Sequence, residues 1–243
     1  MSEIADWIEA WGGPEAAACA VPIGAGGALA PHEIPAMAHA IPSRRAEFAA
    51  GRDAARRAMR RLGLPAMAVP MRPDRAPLWP EGLCGSISHD ADLAVAVVRR
   101  GAGALGLDIE PATPLDPALW SEIASTDEIG QPVPGVSPGQ VARLVFAAKE
   151  AAYKAQYPAS GRVLGFEAMR IEIVGDGLVA RLRMAVGPYA VGTAFRGAWA
   201  IIDGRFVVMI EAPSINDEAD LGFKLRNTEL THPTGMVSRT VMR

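Results

Sequence analysis

Only two cysteines, Cys19 and Cys84, occur in 243 residues. They form neither a CxxC pair nor a Cys/His cluster, which argues against a disulfide framework or a zinc site and suits a reducing compartment. No stretch approaches the roughly 18–20 uninterrupted apolar residues of a membrane span. Met1 to Asp6 carry acids where a secretory leader needs bases ahead of an apolar run. Aromatic residues are scarce at 6%, and the formal net charge is -3. Both count against a dedicated nucleic-acid binder, which is usually basic and offers rings for stacking. Internal repeats, low-complexity tracts, a Walker loop, a dinucleotide fingerprint and a G-x-S-x-G elbow are all missing. Half of the residues are hydrophobic, enough for one good core or two smaller ones packed together. The expectation is a soluble, cytoplasmic protein.

Punctuation by proline and glycine divides the chain. Residues 1–12 suit a short helix, and the stretch to about residue 42 reads as strands and loops. Ile41, Pro42 and Ser43 open a helix that runs to Gly63, with Ser43 as its N-cap. A turn at Pro73-Asp74-Arg75 is flanked by Val69–Met71 and Leu78–Trp79. The β-branched run 93–98 and the run 105–110 read as an antiparallel hairpin. Pro111, Pro114 and Pro117 then mark a midpoint, giving an N-terminal half 1–113 and a C-terminal half 114–213. In the second half, the pattern predicts a helical segment near 116–129 and a strong helix over 140–157 that ends at Pro158. Strands are expected at 169–174, 178–184, 189–195 and 198–210. Residues 214–243 turn polar and read as a loosely held tail.

Three clusters carry chemistry. In the first, Leu105, Leu107 and Ile109 alternate with Gly106, Asp108 and Glu110. In a strand, this puts both carboxylates on one face. Neighbouring like charges repel unless a cation or base lies between them, so the pair is either a solvated strand edge or a cation site. The second cluster lies on the predicted helix 140–157, where Val141, Leu144, Val145, Ala148, Ala152 and Ala155 form a buried stripe. Lys149, Glu150, Tyr153 and Lys154 border it. Glu150 and Lys154, four apart, suit an ordinary helix ion pair, yet the alanines around them suit a face that something approaches closely.

The third cluster is basic. Residues 44–61 hold Arg44, Arg45, Arg52, Arg56, Arg57, Arg60 and Arg61 against only Glu47 and Asp53. On a helix, Phe48, Ala55, Met59 and Leu62 form the core stripe, with Arg45, Arg52 and Arg56 along one flank and Arg57 and Arg61 facing solvent. Three arginines on one flank repel without an anion, and phosphate is the usual one. Charge alone leaves a coenzyme phosphate and a nucleic acid both open. Gly85, Ser86, Ile87, Ser88 and His89 form a small-residue approach to one of four histidines. Ser88 and His89 are chain neighbours, so they offer no Ser-His-acid triad geometry.

Taken in order, Arg44–Arg52, Trp79-Pro80, Gly85–His89, Gly106–Glu110 and Phe146–Lys154 resemble the signature of the 4′-phosphopantetheinyl transferases. The match is to the siderophore-synthesis branch typified by the enterobactin synthetase component D enzymes. The resemblance spans roughly residues 44–154. It implies an α+β fold of two similar halves about a pseudo-twofold, with the active site in the cleft between them. It also implies transfer of the 4′-phosphopantetheine of coenzyme A to a serine of an acyl or peptidyl carrier protein, with release of 3′,5′-ADP. By the same resemblance, Asp108, Glu110 and Glu150 ligate Mg²⁺, Glu150 takes the serine proton, and Lys154 meets a phosphate. His89 binds a coenzyme phosphate, Ser88 shapes its loop, and Arg45 and Arg52, with Arg44 or Arg56, hold the 3′-phosphate. Arg75 corresponds to a basic position on the adenine side. Ala147 and Ala151 depart from the serine of many relatives without touching a ligand. The implied partners are a carrier protein, with a lean toward peptide or siderophore synthesis, and coenzyme A; the implied state is a monomer. A non-catalytic homologue that binds coenzyme A or a carrier, and a nucleic-acid module built on the arginine helix, are the rival readings.

Overall fold

The computed structural model describes residues 2–214. The expected tail therefore lies almost wholly outside the described residues. In chain order the elements are α1 (Glu3–Gly12), β1 (Ala16–Pro22), α2 (Pro42–Arg61), β2 (Leu83–His89), β3 (Leu93–Arg100) and β4 (Leu105–Pro111). They continue with the one-turn helices α3 (Trp120–Ile123) and α4 (Thr126–Ile129), then α5 (Pro138–Ser160). The strands β5 (Met169–Val174), β6 (Gly177–Leu182), β7 (Ala194–Ile202) and β8 (Arg205–Glu211) follow and are the last elements among the described residues.

Two antiparallel sheets result, ordered β1-β3-β2 and β4-β8-β7-β6-β5. Helix α2 buries Ala50, Ala54, Ala55, Ala58 and Met59 against Val21, Ala94, Ala96 and Val98 on the first sheet. Helix α5 buries its alanine stripe with Leu144 and Val145 against Phe206, Val208 and Ile210 on the second. Each sheet thus carries one long helix, the α+β arrangement of two halves that was expected. Between the sheets lies a third apolar cluster of Val95, Val97, Leu105, Leu107, Ile109, Val207 and Met209. Helix α1 seals it with Ile4 and Ile8, both fully buried.

The expected hairpin between 93–98 and 105–110 does not form. Strand β3 is the centre of the first sheet, paired with β1 and β2. Strand β4 instead pairs along its whole length with β8, a partner about a hundred residues away. Both runs are apolar enough to be central strands, and two adjacent runs in sequence cannot reveal that each has a better partner elsewhere. Strand β4 remains near its sequence neighbour through side chains. Ser86 Oγ and Ser88 Oγ of β2 accept hydrogen bonds from the Leu107 and Ile109 amides at 2.9 and 3.3 Å. Two hydroxyls thereby satisfy amides on the open edge of the second sheet.

Several boundaries differ from expectation. Helix α2 starts at Pro42 with Ile41 in the N-cap position, and Gly63 follows its end at φ 72°. Helix α5 runs through Pro158 to Ser160 and closes on Gly161 at φ 61°, so the proline sits in the last turn and does not end it. The expected 116–129 helix breaks into α3 and α4, the latter capped by a Ser125–Glu128 capping box. Residues 189–193 form no strand, and 198–210 is two strands turning at Asp203-Gly204.

Candidate active site

The position of the site follows from one glycine. A Cβ on Gly106 would run into the Ala151 carbonyl oxygen, so β4 lets α5 lie directly on its backbone only because this residue has no side chain. Ala147, Ala148, Ala151, Ala152 and Ala155 are all fully buried at this contact. The close approach implied by the alanines is therefore that of strand β4. Its alternation then holds as read: Leu105, Leu107 and Ile109 face the inter-sheet core, while Asp108 and Glu110 face α5. The solvated-edge reading fails, because Asp108 is buried.

Beside Asp108, three elements converge. Its Oδ1 accepts from Ser88 Oγ of β2 at 2.7 Å and from Lys154 Nζ of α5 at 2.7 Å. Its Oδ2 is buried without a hydrogen-bond partner. Glu110 meets Arg143 at 3.1 Å, and Arg143 lies about two turns before Glu150 on the same face of α5. Burial, reinforced by the charge of Asp108, pushes Glu110 up to about 6. The same two causes raise Glu150 above the ordinary carboxylate range. Lys154 also donates to the Leu107 carbonyl and to Ser88 Oγ, and forms no hydrogen bond with Glu150.

Glu150, Lys154, Asp108 and Glu110 line one wall of a cleft of about 660 Å³. Arg44, Glu47, Phe48 and Arg52 of α2 line the other, with Arg72, Arg75, Leu78 and Trp79 on the rim. Successive residues of β2 point opposite ways, so Ser88 reaches Asp108 while His89 turns to α2. There His89 Nε2 lies 3.0 Å from Arg44 Nη1, which also pairs with Glu47 at 3.0 Å. Among the described residues no serine is hydrogen-bonded to a histidine, as a hydrolase would need. A smaller pocket of about 300 Å³ adjoins the acidic wall, sharing Glu150 and Tyr153 and lined by Leu164, Phe166 and Met169.

The arginine cluster is more internally neutralised than its sequence implies. Arg56 is buried against Glu33 and the Ala28 carbonyl, Arg57 pairs with Asp53, and Arg61 forks onto Glu9 at 2.8 and 2.7 Å. Arg57 and Arg61, expected to be simply solvated, are thus engaged. Arg45 donates to the Ala38 and Ala40 carbonyls and does not line the cleft. Arg52 stands apart: buried, stacked 4.2 Å over the Phe48 ring, with Nε lacking any partner. Burial lowers its guanidinium to about 10, and the neighbouring charges of Arg44 and Arg56 add to that against the opposing charge of Glu33. It remains a cation at neutral pH.

Sequence reasoning overlooked Glu47, Phe48 and Arg143. Their helical spacing from Arg44, Arg52 and Glu150 was the signal that could have found them. It also left Lys149 unassigned. That residue is a buried cation held by Glu128 at 3.1 Å and the Ile123 carbonyl at 2.8 Å, tying α3 and α4 to α5.

Among the described residues, no group of three or more His, Cys, Asp or Glu side chains is arranged to hold a metal ion by itself. The donor set nevertheless suits a hard divalent cation completed by water or phosphate oxygens. Three carboxylates line one wall, one with an orphaned buried oxygen and two whose proton affinity is raised by burial and by the charge of Asp108. A buried cation-ready arginine opposite them suits a phosphate.

Fold and site together define a class: an α+β protein of two helix-backed sheets with a basic wall facing an acidic one across a cleft. Comparison with known proteins specifies it. Residues 32–99 match the 4′-phosphopantetheinyl transferase N-terminal domain, and residues 104–184 match the 4′-phosphopantetheinyl transferase superfamily. The chain is 36% identical over 194 residues to the 4′-phosphopantetheinyl transferase Svp of Streptomyces mobaraensis, covering 75% of this chain and 78% of that one. It is 33% identical to PptT of Mycobacterium tuberculosis, over 74% of this chain and 84% of that one. It is 43% identical over 120 residues to enterobactin synthase component D of Salmonella typhimurium, covering 46% and 48% of the two chains. The chain belongs to the 4′-phosphopantetheinyl transferase family.

Proposed function

We propose that this enzyme transfers the 4′-phosphopantetheine group of coenzyme A to a serine of an acyl or peptidyl carrier protein, releasing 3′,5′-ADP with the help of Mg²⁺. The observation that carries the reading is the cleft itself, in which Arg52 and Arg44 face Asp108, Glu110 and Glu150. Arg52 would take the coenzyme's 3′-phosphate: Arg52 and Arg143 each keep a buried Nε with an unmet donor, and Arg52 is the one of the two that lines the cleft. His89 and Arg44, already in contact, would hold a second phosphate, with Arg75 on the adenine side of the rim. Ser88 keeps Asp108 in place from β2. Arg45, tied to two carbonyls at the start of α2, would orient that wall from outside.

Asp108, Glu110 and Glu150 would hold Mg²⁺, which when bound offsets the charge of the pyrophosphate and of the leaving group. In the transfer, the carrier serine Oγ forms a bond to the β-phosphorus. The bond from that phosphorus to the bridging oxygen breaks, and 3′,5′-ADP leaves with the electron pair. Glu150 accepts the serine proton; burial and the charge of Asp108 raise its proton affinity above that of an ordinary carboxylate, which makes it the stronger base. Lys154 meets a phosphate oxygen as charge develops. The apolar pocket at Leu164, Phe166 and Met169 is of a size and polarity to receive the pantetheine arm.

Among the described residues no helix is long and apolar enough to cross a membrane. Action in the cytoplasm as a monomer completes the reading, because one chain supplies both walls of the cleft. Peptidyl carriers of siderophore assembly rank first as substrates, on the likeness to enterobactin synthase component D.

The test is intact mass of apo acyl and peptidyl carriers incubated with the enzyme, coenzyme A and Mg²⁺. One added phosphopantetheine, lost with Glu150→Gln or chelator, is the expected result. No gain on any carrier despite coenzyme A binding would establish a non-catalytic binding homologue instead. Retention of an Arg52-dependent affinity for nucleic acid, without coenzyme binding, would favour the nucleic-acid module.

A further inference from the structure

Every donor on Lys154 is occupied. Its Nζ gives hydrogen bonds to Asp108 Oδ1 at 2.7 Å, to the Leu107 carbonyl at 3.0 Å and to Ser88 Oγ at 3.2 Å. An ammonium has three donors and no acceptor, so none remains for a phosphate while these bonds hold. The same ammonium is the only cation hydrogen-bonded to Asp108 among the described residues. Asp108 presents one oxygen to it and keeps the other buried and unpaired. A single positive charge therefore stands against Asp108, while Glu110 and Glu150 still feel that carboxylate as a repulsive neighbour.

We infer that Lys154 is a place-holding cation, bound to Asp108 in the empty cleft and released to a phosphate oxygen when a divalent cation takes Asp108 over. An ammonium and a divalent ion repel one another at contact distance, so both do not remain on one carboxylate at full strength. Lys154 lies one turn from Glu150 on α5 and lines the same cleft, and its long side chain can turn into that space by changing rotamer. Phosphate capture by Lys154 thereby becomes conditional on the cation, and the coenzyme and the cation bind with positive coupling. The inference rests on the cation reading of Asp108 proposed above.

The experiment is a titration with Mn²⁺ alone, without coenzyme A, of the full chain and its Lys154→Met, Lys154→Arg and Asp108→Ala variants, followed by electron paramagnetic resonance. Removing the competing charge in Lys154→Met is expected to tighten Mn²⁺ binding about tenfold or more, whereas Lys154→Arg stays near the parent. Equal or weaker binding by Lys154→Met, with binding abolished by Asp108→Ala, overturns the exchange and leaves the cation site standing. Absence of Mn²⁺ binding in every form overturns both. A second measurement needs no variant, because the chain has only three lysines, Lys149, Lys154 and Lys224. In ¹⁵N spectra of the lysine ammonium groups, Mg²⁺ is expected to shift the Lys154 signal and leave Lys149, locked to Glu128, in place. An unmoved Lys154 signal at saturating Mg²⁺ overturns the exchange.

Discussion

Replacing Glu110 with glutamine should make the ligand-free protein more stable at neutral pH, and the size of the effect follows from the site. Burial and the charge of Asp108 raise the Glu110 carboxyl from 4.5 to about 6, even though Arg143 lies 3.1 Å away. The folded chain therefore holds this proton more tightly than the unfolded chain does. Its contribution to stability is fully present below the unfolded value and is lost as pH rises through about 6. At about 1.4 kcal/mol per tenfold in proton affinity, the ceiling is about 2 kcal/mol. The Glu110 side chain keeps some contact with solvent, which reduces the figure to on the order of 1 kcal/mol. Glutamine has the same shape and still accepts from Arg143, but it has no charge to repel Asp108. Urea unfolding of both proteins in chelator, from pH 4.5 to 7.5, isolates this term, because the other titrating groups are common to both. The advantage of Glu110→Gln should grow across that window and shrink when Mg²⁺ is added to the parent. A difference independent of pH, or one that moves against the variant as pH rises, would refute the reasoning and show that the Arg143 pair dominates.

Other expectations test separate parts of the design. Gly106→Ala must lift α5 off β4, costing about 1–3 kcal/mol in urea unfolding and at least about tenfold in carrier modification; normal activity would detach the glycine from the site's geometry. Arg52→Ala should raise the KM for coenzyme A about tenfold or more and leave that for dephospho-coenzyme A unchanged. An equal loss with both coenzymes would remove Arg52 from the 3′-phosphate. Lys149→Met leaves Glu128 buried without its cation and should cost about 3–5 kcal/mol, read as a lower urea midpoint. A loss below about 1 kcal/mol would mean that Glu128 is satisfied by the Ser125 and Ile171 amides alone.

Much of the candidate site was legible because its pieces are short and periodic. The two-residue alternation over 105–110 told the core face from the carboxylate face without knowledge of β4's partner. The helical spacing of Ala55 and Met59 likewise marked the core stripe of α2, although Phe48 turned out to line the cleft and Arg52 and Arg56 to be buried. Spacing did not reveal which arginines were available. Arg56 and Arg61 are matched by Glu33 and Glu9, residues 23 and 52 positions away, and such pairings leave no mark on the local pattern. The same limit explains the lost hairpin, since β4's partner β8 lies at the far end of the described chain.

By itself, then, the sequence determined which residue types lie on which face of each strand and helix, because side-chain direction is set by local backbone geometry. It also determined the family, whose motifs are contiguous. Tertiary structure alone decided which charges are neutralised: that Lys154 binds Asp108 rather than Glu150, that Arg52 is left with an unmet donor, and that Ser86 and Ser88 join two sheets. Those outcomes depend on distances of a few ångströms between segments distant in the chain. Such distances come from packing of the whole, beginning with α5 lying against a strand that has no side chain at Gly106.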